Sequence, residues 1–496
     1  MAEELIHQAV ARHAAIRPDA TALVHRNGTV TYRELADRAQ QWARALRQEG
    51  AGPGQYVAVC LPRSPDLVTA LLAVLTTGAA YAALDPRWPA ERTAAVLERL
   101  APVRVITQDR LPEPAAAHPG VGDTEPSQLH GGSPACVFFT SGTSGAPKGV
   151  VSPHRATMRL FAPDGPLAFG PGAVLPVAAA TPWDAFSLEL WGALTTGGTG
   201  VLVESDYLLP PTLEELTACH GVNTAWLTAS LFNLFVEDAP ESFTGLERLY
   251  IGGERLSPSH VSRFLRAHPD IALYNGYGPV ESCVFATVHR IREEDCLAPD
   301  GIPLGSPVPA TAVHVLDGVA EAAPGEVGEL CVSGDGLAVG YLADDALTEA
   351  CFSRVRLRDG ERVRVYRTGD LGYADERGRM RFTGRSDRQF KVRGHRLEPE
   401  EIESCAATLA PVTRSTVVPI PGELGTYDGI ALFYTGDDGP SAAADDGECT
   451  EIRALLGRRL PSYAVPDVVT RVDRFPVTGN GKVDSRALLA LLDAGR

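Results

Sequence analysis

The sequence predicts an α/β fold in a large N-terminal domain of layered subdomains, followed by a smaller α+β domain. Three observations carry that expectation. Strand-like and helix-like segments alternate through the first half of the chain, the pattern of a largely parallel sheet covered by helices. From Ala312 the texture changes. Ala312-Val313-His314-Val315-Leu316 and Gly328-Glu329-Leu330-Cys331-Val332 read as antiparallel strands. After Asp387 a last stretch of roughly 110 residues, a normal domain size, has its own helices and strands. The expected domains are therefore 1–386 and 387–496.

Taken in order, residues 3–16 form an amphipathic helix ended by Pro18, and Ala22 to His25 a short strand. Thr31 is a helix N-cap with Glu34 three residues on, the spacing of a capping box. Tyr56 to Leu61 is a strand, Pro65 to Leu75 a helix, and Val103 to Thr107 repeats the strand. Pro112 to Pro134 reads as a loose connection, then Ala135 to Phe139 as a buried strand. Val174 to Ala180 is a strand leading into a buried helix around Trp183–Trp191. Asn223 to Leu234 and Leu249 to Gly253 are expected as strands, and Ala272 to Ser282 as a loop. The basic run Gly384–Arg396 has apolar residues interleaved, which suggests a hairpin with one buried side. Pro399 to Thr408 is a helix, Ser415 to Ile420 and Ile430 to Tyr434 are strands, and Ile452 to Leu460 is a helix.

Composition narrows the function. The chain has 496 residues, 44% apolar and 22% charged, with a formal net charge of -17. That balance argues against a nucleic-acid backbone as the main partner. Nine cysteines are scattered without a CxxC pair, so reduced thiols are expected rather than a disulfide frame or a zinc site. The N-terminus lacks a basic segment followed by an apolar core. No apolar run reaches the ~18 residues of a membrane span. A cytoplasmic protein is expected.

The stretch with the most chemistry is Thr140-Ser141-Gly142-Thr143-Ser144-Gly145-Ala146-Pro147-Lys148-Gly149, directly after a strand. Glycines allow close backbone approach, successive N–H groups can form an anion nest, and hydroxyls and an ammonium add donors for phosphate. A plain surface loop is the alternative. Lys148 lies between Pro147 and Gly149, so this is not a Walker A loop. Asp184, at the head of the Trp183 helix, is either an N-cap or a buried carboxylate awaiting a cation. Asn275-Gly276-Tyr277-Gly278-Pro279 is a turn of the kind that carries ligands.

These motifs, with Tyr366-Arg367-Thr368-Gly369-Asp370 and Gly479-Asn480-Gly481-Lys482, occur in the order found in the adenylate-forming superfamily. Over nearly the whole chain the sequence most resembles an amino-acid-activating adenylation domain of nonribosomal peptide synthetases. The resemblance implies a β-barrel-like third subdomain and a mobile C-terminal domain. It implies two half-reactions: an amino acid and ATP give an aminoacyl-adenylate, then a phosphopantetheine thiol displaces AMP. Thr140, Ser141, Gly142, Thr143 and Lys148 would hold the pyrophosphate portion, and Glu281 would ligate Mg²⁺. Tyr277, between Gly276 and Gly278, would stack on adenine with Asn275 near its exocyclic amine. Asp370 and Arg385 would bind the ribose, and Lys482 would be the catalytic lysine bridging carboxylate and α-phosphate. Asp387 would be the hinge, and Gly394 would face the thiol in the second step. Val280 replaces the family's usual threonine, which is expected to weaken ATP binding.

By the same resemblance the amino-acid pocket is Asp184, Ala185, Leu188, Trp226, Tyr250, Gly252, Gly276, Val284 and Phe285, with Lys482. Asp184 would pair with the α-ammonium. The rest is apolar and bulky, which favours a small aliphatic side chain, valine or 2-aminobutyrate. Tyr250 would either shorten the cavity or offer a hydroxyl to a polar substrate. No carrier domain follows Lys482, so the expectation is a stand-alone enzyme serving a carrier protein in trans, with an MbtH-like helper as a further candidate partner. The alternatives are an acyl- or aryl-CoA ligase, against which Asp184 argues, and a non-catalytic ATP-binding sensor, against which Lys482 argues.

Overall fold

The structure, a computed structural model, describes residues 4–113, 129–142, 147–205, 207–422, 426–436, 446–477 and 483–494. Its contacts gather into two units. The first comprises Met1–Pro86, Arg99–Phe139 and Gly149–Ser386. The second comprises Arg87–Glu98, Thr140–Lys148 and Asp387–Arg496, so two short stretches from early in the chain join the C-terminal part.

In the first unit, local sequence signals set the helices. Tyr32–Gln48 begins at Thr31, whose hydroxyl accepts from the Glu34 amide while the Glu34 carboxylate accepts from the Thr31 amide, the expected reciprocal cap. Pro65–Thr77 is capped by Ser64, starts on a proline and ends at Gly78 in the left-handed region (φ 88°). This helix is buried from Leu67 onward. It covers a six-stranded sheet ordered Gly340–Tyr341, Lys148–Pro153, Pro134–Thr140, Ala80–Ala83, Tyr56–Cys60, Arg104–Thr107. The N-terminal helix is Ile6–Ile16.

A five-stranded sheet bears Trp226, Tyr250, Gly252 and Gly276 of the expected pocket. Thr224–Thr228, Arg248–Gly252 and Ala272–Tyr277 run parallel, and Thr287–Arg290 turns antiparallel beside them. Two expectations are corrected here. The apolar run after Asn223 is a strand only to Thr228; the Thr228 hydroxyl then caps a helix, Ala229–Asp238. Ala272–Tyr277 is a strand and not a loop, because its backbone pairs on both sides. Register places Trp226 beside Tyr250 and Tyr250 beside Tyr274, and aligns Thr228, Gly252 and Gly276 one step of two residues further on.

The antiparallel part is a six-stranded sheet in which Gly328–Gly334 lies between Thr311–Asp317 and the long strand Arg362–Ala374. The path runs from Ala320–Glu321 to Phe352–Arg356, and Met380–Arg385 pairs with the long strand. Among the described residues the edges do not pair with each other, so this sheet is open, in place of the barrel-like form expected.

In the second unit, Phe390–Val392 and His395–Leu397 form the expected hairpin. Arg393 and Gly394 turn it with φ values of 51° and 82°, the positive pair a two-residue hairpin turn requires. Phe390, Val392 and Leu397 enter a core with Ile402 of helix Pro399–Ala406 and Leu432 of the strand Tyr427–Gly436. A helix expected from Ile452 starts earlier and spans Asp446–Leu456. Among the described residues, no helix is long and apolar enough to cross a membrane.

Candidate functional site

Asp184 is the first residue of helix Asp184–Thr196, whose N-cap is Trp183 and makes no side-chain cap. The N-cap alternative for Asp184 therefore fails. Its carboxylate accepts the Val284 amide at 2.8 Å. That amide comes from an unusual turn: Cys283 and Val284 have φ values of 47° and 63°. Left-handed backbone is strained for a β-branched residue and persists only where its surroundings over-determine it. Ala185 and Leu188, on the same helix, are buried.

The aromatic pocket residues are braced by neighbouring rings. Trp226 and Phe285 meet edge to face at 5.3 Å. Tyr250 stacks on Tyr274 at 4.9 Å and meets Phe169 edge to face at 5.8 Å. The Tyr250 hydroxyl donates to the Pro166 carbonyl at 2.7 Å, and burial holds the phenol well above its usual pKa. Its proton is therefore engaged by the backbone, which disfavours the polar-substrate alternative. A Cβ on Gly276 would enter the Phe285 ring, and one on Gly252 would strike the Gly276 carbonyl. Gly276 must therefore be glycine for Phe285 to lie where it does, and Gly252 must be glycine for its strand to lie so close to the Gly276 carbonyl.

The helix that begins at Asp184 also carries a carboxylate that the sequence reading missed. Glu189 is 2% exposed and accepts the Ala178 and Ala179 amides at 2.8 and 2.7 Å. Burial pushes its pKa up to about 7 against the pull of those two amides and of Arg63. Arg63 donates to the carbonyls of Ala178, Ala179, Val203 and Ser205. Amides and carbonyls of one short segment, five residues ahead of Asp184, are thus held from both sides. A charged residue between Leu188 and Leu190 in a fully buried helix was the available signal.

Three of the expected nucleotide residues of the first unit, Tyr277, Asp370 and Arg385, are joined directly. Asp370 and Arg385 pair directly across two strands, and their side chains form a short ion pair. The Tyr277 hydroxyl donates to Asp370 at 2.6 Å, and burial, reinforced by that carboxylate, holds the phenol strongly protonated. The Asn275 amide donates to the Pro303 carbonyl at 2.7 Å, which leaves its oxygen as the acceptor for an outside donor. Glu281 is 0% exposed and accepts the Tyr341 hydroxyl at 2.7 Å. Val280 is half-buried and packs on the main apolar core.

In the second unit the Thr140 hydroxyl is buried and has no hydrogen-bond partner among the described residues. An orphaned donor is costly unless a ligand satisfies it. The Ser141 hydroxyl donates to the Arg396 carbonyl at 3.0 Å, and Gly142 is buried beside it. Lys148 is 7% exposed and its ammonium donates to Glu398 at 3.0 Å, a carboxylate that also accepts from the Gln389 side-chain Nε2 at 2.6 Å. Glu398, 250 residues from Lys148, was not anticipated. Nearby, Arg92 and Glu401 form a second buried pair at 3.0 Å. Asp387 accepts the Gln389 amide at 3.2 Å. Beside Gly394, the His395 ring stacks flat on Tyr463 at 4.0 Å, and burial, then Arg393, pushes its pKa down to about 4. Thr143 and Lys482 lie outside the described residues.

Residues 10–342 match the family model described as AMP-binding enzyme, and residues 401–482 match that of the AMP-binding enzyme C-terminal domain. The chain is 34% identical to tyrocidine synthase 3 of Brevibacillus parabrevis over 97% of its own length, and 35% identical to surfactin synthase subunit 1 of Bacillus subtilis (strain 168) over 98%. It spans only 8% and 14% of those two proteins. A solved structure of an NRPS protein containing adenylation and PCP domains, bound to a vinylsulfonamide inhibitor, is similar with a TM-score of 0.87 and 34% identity, covering 99% of this chain and 84% of that one. An o-succinylbenzoate CoA synthetase from Bacillus subtilis shares the fold at a TM-score of 0.81 and 20% identity, covering 97% of this chain and 98% of that one.

Proposed function

The chain belongs to the AMP-binding enzyme family, the adenylate-forming ligases, and on that premise we propose that it activates a small aliphatic L-amino acid with ATP. The product is an aminoacyl-adenylate, and the acyl group then passes to the phosphopantetheine thiol of a carrier protein. Valine and 2-aminobutyrate are the favoured substrates. The observation that carries the reading is Asp184, a carboxylate oriented by the Val284 amide among otherwise apolar pocket residues. A free α-ammonium is the ligand that such an acid suits.

In this reading Asp184 holds the ammonium and thereby sets the direction of the substrate carboxylate. Trp226, Tyr250 and Phe285 limit side-chain length. Tyr277 orients Asp370, whose oxygens accept the ribose hydroxyls, while Arg385 holds that carboxylate in place. The Thr140 hydroxyl donates to a phosphate oxygen, and Lys148 exchanges Glu398 for phosphate. Glu281 fits Mg²⁺: it is a buried hard oxygen donor oriented by Tyr341, and that ion is commonly held by one or two carboxylates together with nucleotide phosphates. Bound there, Mg²⁺ would offset phosphate charge. Lys482 would bridge the reacting groups, and turning at Asp387 would withdraw it before Gly394 meets the thiol.

Pyrophosphate–ATP exchange over a panel of amino acids, with Mg²⁺ present, tests this. Exchange confined to small aliphatic amino acids is expected. Exchange with none of the panel refutes the reading, and efficient acylation of free CoA in place of a carrier thiol moves the chain to the CoA ligases.

A further inference from the structure

Arg159 is a buried guanidinium, 6% exposed, at the end of the short helix His154–Met158. Its hydrogen bonds go to neutral oxygens. Nη2 donates to the carbonyls of Ser282 and Phe285 at 2.7 and 2.8 Å, Nη1 to the Ala156 carbonyl at 2.7 Å, and Nε to the Thr311 hydroxyl at 2.9 Å. A longer contact joins Nη2 to the Ser282 hydroxyl at 3.3 Å. The two carbonyls on Nη2 bracket Cys283 and Val284, the consecutive left-handed residues whose strain the surroundings must sustain. A Cβ on Gly336 would collide with Nη2, so the chain leaves a seat for this nitrogen. The turn it holds is the one whose Val284 amide meets Asp184.

We infer that Arg159 is the positioning residue of the amine clasp: by gripping both ends of the Cys283–Val284 turn it aims the Val284 amide, and through it the Asp184 carboxylate, at the substrate's ammonium. The inference rests on the proposed role of Asp184. A full guanidinium charge suits this task because a charged donor grips carbonyls more firmly than a neutral one. Its planar fork also fixes the direction of several bonds at once, which an ammonium does not do.

The test compares exchange driven by an α-amino acid with exchange driven by the corresponding carboxylic acid lacking the amine. In the full chain, Arg159→Lys should raise KM for the amino acid about tenfold and cut the preference for the amine by a similar factor, with KM for ATP moving less than about twofold. Gly336→Ala, which keeps every side-chain group but unseats Nη2, should shift the preference the same way. Adding Cys283→Gly to Arg159→Lys should recover part of it, because glycine adopts the left-handed turn without strain. Equal losses for both acids, an unchanged preference in a folded Arg159→Lys protein, or no shift with Gly336→Ala should Arg159→Lys fail to fold, would overturn the inference. A wild-type protein with no exchange for any amino acid would instead refute the functional reading beneath it.

Discussion

Asp184 and Lys148 are both charged groups drawn partly or wholly out of water, and they are kept in different company. Asp184 meets a backbone N–H, part of a turn that is itself pinned by buried hydrogen bonds. Lys148 meets a full opposite charge on Glu398, and both are more than nine-tenths buried. A neutral dipole orients an acid without neutralising it, which suits the role proposed for Asp184. An ion pair in a low-dielectric setting satisfies the lysine, and in the proposed reading a phosphate would have to displace Glu398 before Lys148 could serve it. In the proposed reading the acid of the first unit is thus oriented in advance, and the lysine of the second unit has to change partners.

The largest effect should come from breaking the ion pair. Lys148→Ala leaves Glu398 buried without its cation and should cost about 3–5 kcal/mol of stability by chemical denaturation. Adding Glu398→Ala should recover much of that loss, and additive losses in this double-mutant cycle would show that the pair does not act as a unit. On the other side, Asp184→Ala should lower kcat/KM for the amino acid by roughly a hundredfold, about 3 kcal/mol, with little change in unfolding. A comparable fall in stability would mean that Asp184 is held as tightly as Lys148, and the contrast would disappear.

Two smaller effects sharpen the picture of the first unit. Phe285→Leu opens the space above Gly276 and should move the substrate preference toward a side chain one methylene longer, by ~1–3 kcal/mol. Exchange rates for a series of unbranched amino acids read this directly. Glu189 carries the pH dependence. Its folded pKa is raised from 4.5 to about 7, so the folded state holds a proton that the unfolded state releases. Its contribution to stability is full below about pH 4.5 and is lost as pH rises through about 7. Glu189→Gln should remove that fall, a slope of at most about 1.4 kcal/mol per pH unit. Identical pH profiles for the two proteins would show that the carboxylate stays ionised.

Features set by nearby residues were legible in the sequence. The Thr31 and Glu34 cap, the alternation of strands and helices, and the buried side of the Phe390–Leu397 hairpin depend on spacings of a few residues. The helix at Ala229–Asp238 was hidden because the apolar run Trp226–Phe235 crosses the break, and only the Thr228 hydroxyl marks it. Ala272–Tyr277 was hidden because its glycine-rich end resembles a turn, while register with Arg248–Gly252 keeps it extended. Among site residues, Asp370 and Arg385 could be named from motifs, but their direct pairing across strands could not. Glu398 and Arg159 depend on partners 250 and more than 120 residues away. For Arg159 the only trace was a lone cation between Met158 and Leu160.

The aromatic wall has a consequence for how selectivity could drift. Trp226 leans on Phe285, Phe285 rests on the bare backbone of Gly276, and Tyr250 is clasped between Tyr274 and Phe169 with its hydroxyl tied to the main chain. Flat, buttressed rings have few alternative rotamers, so the proposed amino-acid pocket would not stretch to admit a larger guest as a methionine-lined one would. Tolerance should therefore change in steps, one ring at a time, and an ancestor or descendant with a new substrate would differ at one of these rings or at the glycine beneath them.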